Sequence, residues 1–252
     1  MNHDHSPMEP LLNSAEVLAE QGYVLLPADA AEPLLRGVNA YSPQDWRLFQ
    51  ASWDRLERDR YMADGGTYRY RRHGTFSAPP SGRSIRQEPH QPHYQSLAYN
   101  RLNGGIARHF APLETEVAQG PVLNAVLSFC ADLFGRLAPS LAWHIEVHQF
   151  RIDASGSIAK PTPEGVHRDG VNFVFMMLVQ RLNVRGGETR IHDQAGRPLV
   201  DHTLSAPMDT AIVNDERVLH GVTPIAPLDA SLPACRDVLV VTFTGKPPQD
   251  HD

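Results

Sequence analysis

Hydrophobic positions along the chain follow two different rhythms. Up to about residue 140 they recur mostly three and four apart, as on a buried helix face, and beyond it they alternate or run in short blocks, as in strands. Pro121 opens the clearest helix, in which Val122, Val126, Phe129, Leu133 and Leu137 share one face before Pro139 follows its end. A shorter helix is expected over 14–21, stopped by Gly22, with a strand over 23–26 closed by Pro27. A third runs from about 43 to 62, with Ser42 as N-cap and Trp46, Phe49, Trp53 and Leu56 on its core face. Gly65-Gly66 ends it. Residues 68–76 then read as a polar-aromatic strand, and a loop rich in Pro, Ser and His leads to Tyr94; long loops of this kind often serve sites.

Strands are expected over 141–152, 171–179, 188–191, 210–213 and 238–243, punctuated by Gly186-Gly187, Gly196-Arg197-Pro198 and Pro207-Met208-Asp209. Short strands behind one long helix predict a mainly β fold with added α: a double-stranded β-helix, the cupin-like jelly roll, covered by N-terminal helices. One domain is expected over 1–252, with a flexible tail at 1–12, a helix-rich cover and substrate segment at 13–140, and the jelly-roll core at 141–245. Neither an internal repeat nor a Gly-rich phosphate-binding fingerprint occurs, which argues against kinase and dinucleotide-binding folds.

Composition narrows the partner. A hydrophobic content of 41% and a charged content of 21% suit an ordinary globular chain, and a net charge of −6 disfavours nucleic acid and anionic membrane surfaces. A small-molecule substrate is expected, with a homodimer left open. Cys130 and Cys235 have no metal-type spacing, and neither a leader nor a long apolar span is seen, so the expected location is the cytoplasm.

The chemistry concentrates in His167-Arg168-Asp169, tightly flanked by Gly165 and Gly170, and in His220 within Val218-Leu219-His220-Gly221-Val222. Two imidazoles and one carboxylate on one face of an octahedral ion leave the opposite face open, the ligand set of non-haem Fe(II) oxygenases. Side chains two apart on an extended chain point the same way, so His167 and Asp169 can reach one ion while His220 arrives from a distant strand. A His two before an Asp arises about once by chance in this composition, so the weight lies on the flanking glycines and on the later His220. Arg236 opens the apolar strand at 238–243, where an unpaired guanidinium is costly and its planar fork suits a carboxylate. His144 and His148 share a strand face but do not converge as they would on a helix, so each is expected to be hydrogen-bonded or exposed. Gln149 and Arg151, on the opposite face, are candidates for the cofactor pocket.

These residues resemble a known family: the bacterial 2-oxoglutarate and Fe(II) dioxygenases that hydroxylate free aliphatic L-amino acids, typified by isoleucine dioxygenase, with BsmA-type relatives. The resemblance runs from about Tyr68 to Phe243. It is strongest in 148–152, 163–170, Arg181-Leu182-Asn183 with Gly186-Gly187-Glu188, 218–225 and Arg236-Asp237-Val238-Leu239. It implies His167, Asp169 and His220 as iron ligands and Arg236 as the clamp for the distal carboxylate of 2-oxoglutarate. Fe(II), 2-oxoglutarate and O2 are the implied cofactors. Many members of the wider superfamily carry a Ser two after that Arg, whereas here the position is Val238. For an amino-acid substrate, residues 68–73 with Tyr94-Gln95 and Arg108 offer donors, and Arg72, Tyr94 and Arg108 are the candidates. The rivals are a metal-binding cupin-like isomerase and a non-catalytic sensor on the same fold.

Overall fold

The structure, a computed structural model, describes residues 8–80, 84–100, 102 and 104–246. Helix α1 (Met8–Gln21) leads through Gly22, whose φ of +81° turns the chain, into β1 (Tyr23–Leu26). The expected tail over 1–12 is therefore shortened: residues 8–12 are helical, and 1–7 lie outside the described residues. Helix α2 (Ala28–Val38) has no counterpart in the sequence expectation, because Pro33 and Gly37 within it read as breakers although Ala31, Leu34 and Leu35 are buried. Helix α3 (Pro43–Ala51) is capped by Ser42 and Asp45 in a reciprocal capping box, as its sequence suggests, but stops well short of residue 62. A single 3-10 turn (Ser52–Arg55) follows, and the chain then extends, Glu57–Arg58 pairing with the edge of the main sheet.

That sheet is antiparallel. Its principal strands are β1, β2 (Arg69–Ala78), β3 (Ala142–Asp153), β4 (Phe173–Leu182), β7 (Thr210–Asn214) and β9 (Cys235–Lys246), in the order β1-β7-β4-β9-β3-β2. Because β1 and β2 belong to it, residue 140 is not a boundary between cover and core. A smaller sheet of β5 (Thr189–Asp193), β6 (Pro198–His202) and β8 (Val218–Val222) has the order β6-β5-β8. The two sheets form the mainly β, double-sheet architecture expected of a jelly roll.

Alternation along the strands sets the two faces of the main sheet. One face, with Trp143, Ile145 and Val147 of β3 and Leu239, Val241 and Phe243 of β9, packs on helix α4 (Pro121–Leu137) through Val126, Phe129, Leu133 and Phe134. The other carries Met176, Leu178, Ala211, Val213 and Val238 toward Ile191 and Val218 of the smaller sheet in a second, smaller core. Where that second core ends, the space between the sheets opens into a cavity. No helix among the described residues is long and apolar enough to cross a membrane.

Candidate metal centre and substrate cavity

His167 and His220 are paired backbone to backbone, each donating its N–H to the other's carbonyl at 2.9 Å, so their side chains leave the same face. Asp169, two residues on, joins them. His167 Nε2 lies 3.4 Å from Asp169 Oδ1, and His220 Nε2 lies 3.4 Å from Asp169 Oδ2. His167 Nδ1 donates to the Gly165 carbonyl at 3.0 Å, which fixes the tautomer and leaves Nε2 with its lone pair free. His220 Nε2 is also 3.4 Å from Asp215 Oδ1 but is buried and makes no hydrogen bond among the described residues. Two imidazoles whose Nε2 atoms make no hydrogen bond among the described residues, converging with a carboxylate, fit a divalent ion such as Fe(II). Burial opposes a charge on His220, yet Asp169 and Asp215 outweigh it and lift its pKa to about 10.

Asp215 is a site residue that the sequence reading missed. Fully buried in the turn before β8, it accepts the backbone N–H groups of Asp169, Gly170 and Val171 at 3.0, 2.8 and 3.2 Å and so pins the ligand loop. Its only sequence signal is Asn214-Asp215 in a turn between two apolar segments. Gly170, at φ +83°, lies flat beneath Tyr99; a Cβ there would meet that ring at 2.3 Å.

The cavity of about 560 Å³ that includes the triad is lined by alternate residues of the strands: Arg236, Val238 and Val240 on β9, Glu146, His148 and Phe150 on β3, Arg69 and Arg71 on β2. Arg236 is 3% exposed, and its Nε has no hydrogen-bond partner among the described residues. Burial first, then neighbouring Arg181, depresses its pKa to about 10 against the opposing effect of Asp237. Gly187 permits this crowding, since a Cβ there would lie 3.0 Å from Arg181 and 3.3 Å from Arg236.

Three expected residues lie elsewhere. Gln149 donates to Ser52 Oγ at 2.8 Å, and Arg151 pairs with Asp237 at 2.7 Å and Asp54 at 3.0 Å, both on the helix-covered face. Arg72 donates to the carbonyls of Arg55 and Pro112 on that same side of β2, which leaves Arg71 in the cavity. Arg108 and Tyr94 do line the cavity, Arg108 buried and Tyr94 exposed at its rim. His148 is buried and hydrogen-bonded, as expected, through Arg71 Nη2 at 2.7 Å, and it sits in a group with His73, His93 and Glu146 that the sequence did not reveal.

Known proteins extend this picture. A solved BsmA homologue from Methylobium petroleophilum is 37% identical, with a TM-score of 0.84 over 93% of this chain and 92% of that one. The 3(1)-hydroxy-L-isoleucine 4-dioxygenase of Pantoea ananatis is 29% identical, the match covering 60% of this chain and 63% of that enzyme. The L-isoleucine-4-hydroxylase of Bacillus thuringiensis is 28% identical over 61% of this chain and 65% of the relative. The matches thus span somewhat less than two thirds of these curated relatives. The model of the 2OG-Fe dioxygenase family, whose members use Fe(II), 2-oxoglutarate and O2, matches residues 50–242, a stretch that contains the triad, Asp215 and Arg236, and the chain belongs to that family.

Proposed function

We propose that this chain is a 2-oxoglutarate- and Fe(II)-dependent dioxygenase that hydroxylates a small substrate, a free aliphatic L-amino acid such as isoleucine, leucine or methionine. The observation that carries the reading is the convergence of His167, Asp169 and His220 on a cavity whose wall holds Arg236, which has no ion-pair partner among the described residues. His167, Asp169 and His220 would hold the iron, and Arg236 the distal carboxylate of 2-oxoglutarate through a charge-assisted pair. When bound, iron and 2-oxoglutarate would together supply the activation of O2 and transfer of one of its oxygen atoms into a C–H bond, the other going into succinate as 2-oxoglutarate loses CO2. Asp215 orients the ligand loop, and Val238, Val240 and Met176 provide the apolar wall that excludes water from the reacting end. The names of the two isoleucine-oxidising relatives support the amino-acid substrate.

The test is to incubate iron-loaded protein with 2-oxoglutarate, O2 and a panel of L-amino acids. Gain of one oxygen atom by an aliphatic amino acid, coupled to succinate, is the expected result. Since an apolar pocket separates one methylene by only about 1–3 kcal/mol, several members should react at graded rates. Oxidation of a different small molecule, with every aliphatic amino acid inert, defeats the substrate assignment and leaves the reaction class standing. Failure to form succinate with any partner favours a sensor.

A further inference from the structure

The reaction as proposed uses one of two groups of positive charge in the cavity. Arg236 stands on β9. Two strands away on β2, Arg69 and Arg71 face the same space, and Arg108 enters it from the short strand Ala107–Arg108. Arg236 and Arg69 register with Ile152 of β3 from its two sides, as Val238 and Arg71 do with Phe150. With strands about 4.8 Å apart, the two rows of guanidinium-bearing positions are separated by roughly 10 Å.

The second group is nearly dry and short of partners. Arg69, Arg71 and Arg108 are 6%, 4% and 2% exposed. Asp59 pairs with Arg69 at 2.7 Å and, more loosely, with Arg71 at 3.7 Å, and Arg69 Nη2 has no hydrogen-bond partner among the described residues. Glu146 Oε1 already accepts from His73 at 3.2 Å and His93 at 2.9 Å. Glu164 stands at the metal end, 3.8 Å from His167. The hydrogen bonds of Arg71 and Arg108 go to neutral groups: Arg71 Nη2 donates to His148 Nδ1, and Arg108 Nη2 donates to Gln95 Oε1 at 3.3 Å. The Nε of each is buried without a hydrogen-bond partner among the described residues. Phe110 and Phe150 stack on the Arg71 guanidinium, at 3.6 and 4.3 Å, and hold it in place.

The donor atoms of His73, His93, Glu146 and His148 lie within 4.8 Å of one another, a spacing that would suit a divalent cation. Arg71 decides against one, because its guanidinium claims His148 and places positive charge against the cluster, with Arg69 and Arg108 lining the same wall. A buried wall of three guanidinium groups that shares the Asp59 carboxylate and otherwise holds neutral acceptors attracts an anion.

We propose that Arg71 and Arg108 form a second carboxylate site, which holds the carboxylate of the substrate while Arg236 holds that of the cosubstrate. The proposal deepens the amino-acid reading above and rests on the same cavity being the oxygenase site. It replaces Arg72 with Arg71 as the recognition residue of β2.

Binding measured by calorimetry, anaerobically and with metal and 2-oxoglutarate present, tests it with four probes: L-isoleucine, L-isoleucine methyl ester, 4-methylpentanoate and its methyl ester. Each acid should bind the wild-type protein about ten- to a hundred-fold more tightly than its ester. Arg71→Met and Arg108→Met should each weaken the acids at least about ten-fold and erase most of the preference over the esters, while 2-oxoglutarate still titrates and so reports a folded site. Arg108 belongs to a short surface strand, so its variant supplies the answer should Arg71→Met not fold. Equal binding of acid and ester by the wild-type protein, or an undiminished preference in Arg108→Met, overturns the carboxylate site. The two readings fail separately. L-isoleucine that binds and gains no oxygen defeats the amino-acid substrate alone, and the 4-methylpentanoate pair tests the carboxylate site even if L-isoleucine does not bind.

Discussion

Two clusters of imidazole and carboxylate lie at the same cavity, His167, Asp169 and His220 in one and His73, His93, Glu146 and His148 in the other. In each, the donor atoms lie within 4.8 Å of one another, and their surroundings are opposite. Beside the first stands a further carboxylate, Asp215, 3.4 Å from His220. Beside the second stands Arg71, 2.7 Å from His148. The imidazoles respond accordingly. His220 is lifted to about 10 against the effect of burial, whereas burial first and Arg71 next hold His148 well below the ordinary histidine range. Donor geometry therefore does not distinguish a cation site from an anion site; the charge one contact further out does.

The sharpest way to break this contrast is to remove donors from each cluster and measure iron. Asp169→Ala or His220→Ala should weaken Fe(II) binding by more than about a hundred-fold in equilibrium dialysis, since two ligands cannot match three. Glu146→Ala should change it by less than about two-fold, and a saturating zinc titration of wild-type protein should end at one ion per chain. Comparable losses from both clusters, or two tight ions, would remove the distinction.

Arg236→Ala comes next. It deletes a charge-assisted contact in a dry wall and should raise the 2-oxoglutarate requirement by some tens of fold, read from succinate formation against cosubstrate concentration. An unchanged requirement would move the clamp to Arg181, across the strand register. Asp215→Asn should weaken iron about ten-fold, because an amide cannot accept three N–H groups with one oxygen. Iron binding at wild-type strength would show that the loop holds its shape without the carboxylate.

The smallest effect is on stability. Burial raises the Glu146 carboxyl, but hydrogen bonds from His73 and His93 outweigh it and hold its pKa below the usual range. A depressed acid contributes stability above its unfolded pKa and loses it as pH falls. The Tm difference between wild type and Glu146→Gln should be constant above about pH 5 and shrink below roughly 4.3. A gap that is the same at pH 3 and pH 7 would show that the bonds to His73 and His93 do not favour the ionised form.

What the sequence made legible and what it hid follow from one physical limit. His167, Asp169 and His220 could be read because their reach is local: two positions along an extended segment, and one direct cross-strand partner. Arg236 could be read because charge at the head of an apolar strand is conspicuous. Gln149, Arg151 and Arg72 were each misplaced by one position. Alternation divides a strand into two faces without saying which is inside, and here both are buried. The clue was present in β3, where Trp143, Ile145 and Val147 form the face that helices cover and leave Glu146 and His148 for the cavity. The four-residue histidine cluster could not be read at all, since His73, His93 and Glu146 come from three segments far apart in sequence.

Gln95 joins the two ends of the cavity. Its amide nitrogen donates to Asp169, at 3.1 Å to the carbonyl and 3.2 Å to Oδ1, while its oxygen accepts from Asn100 at 2.9 Å and Arg108 at 3.3 Å. A primary amide has donors at one end and an acceptor at the other, so it works as a latch of fixed polarity. An anion held at Arg108, as proposed above, would compete for the donor that Gln95 accepts. One side chain thus bridges the proposed substrate site and Asp169, the proposed metal ligand.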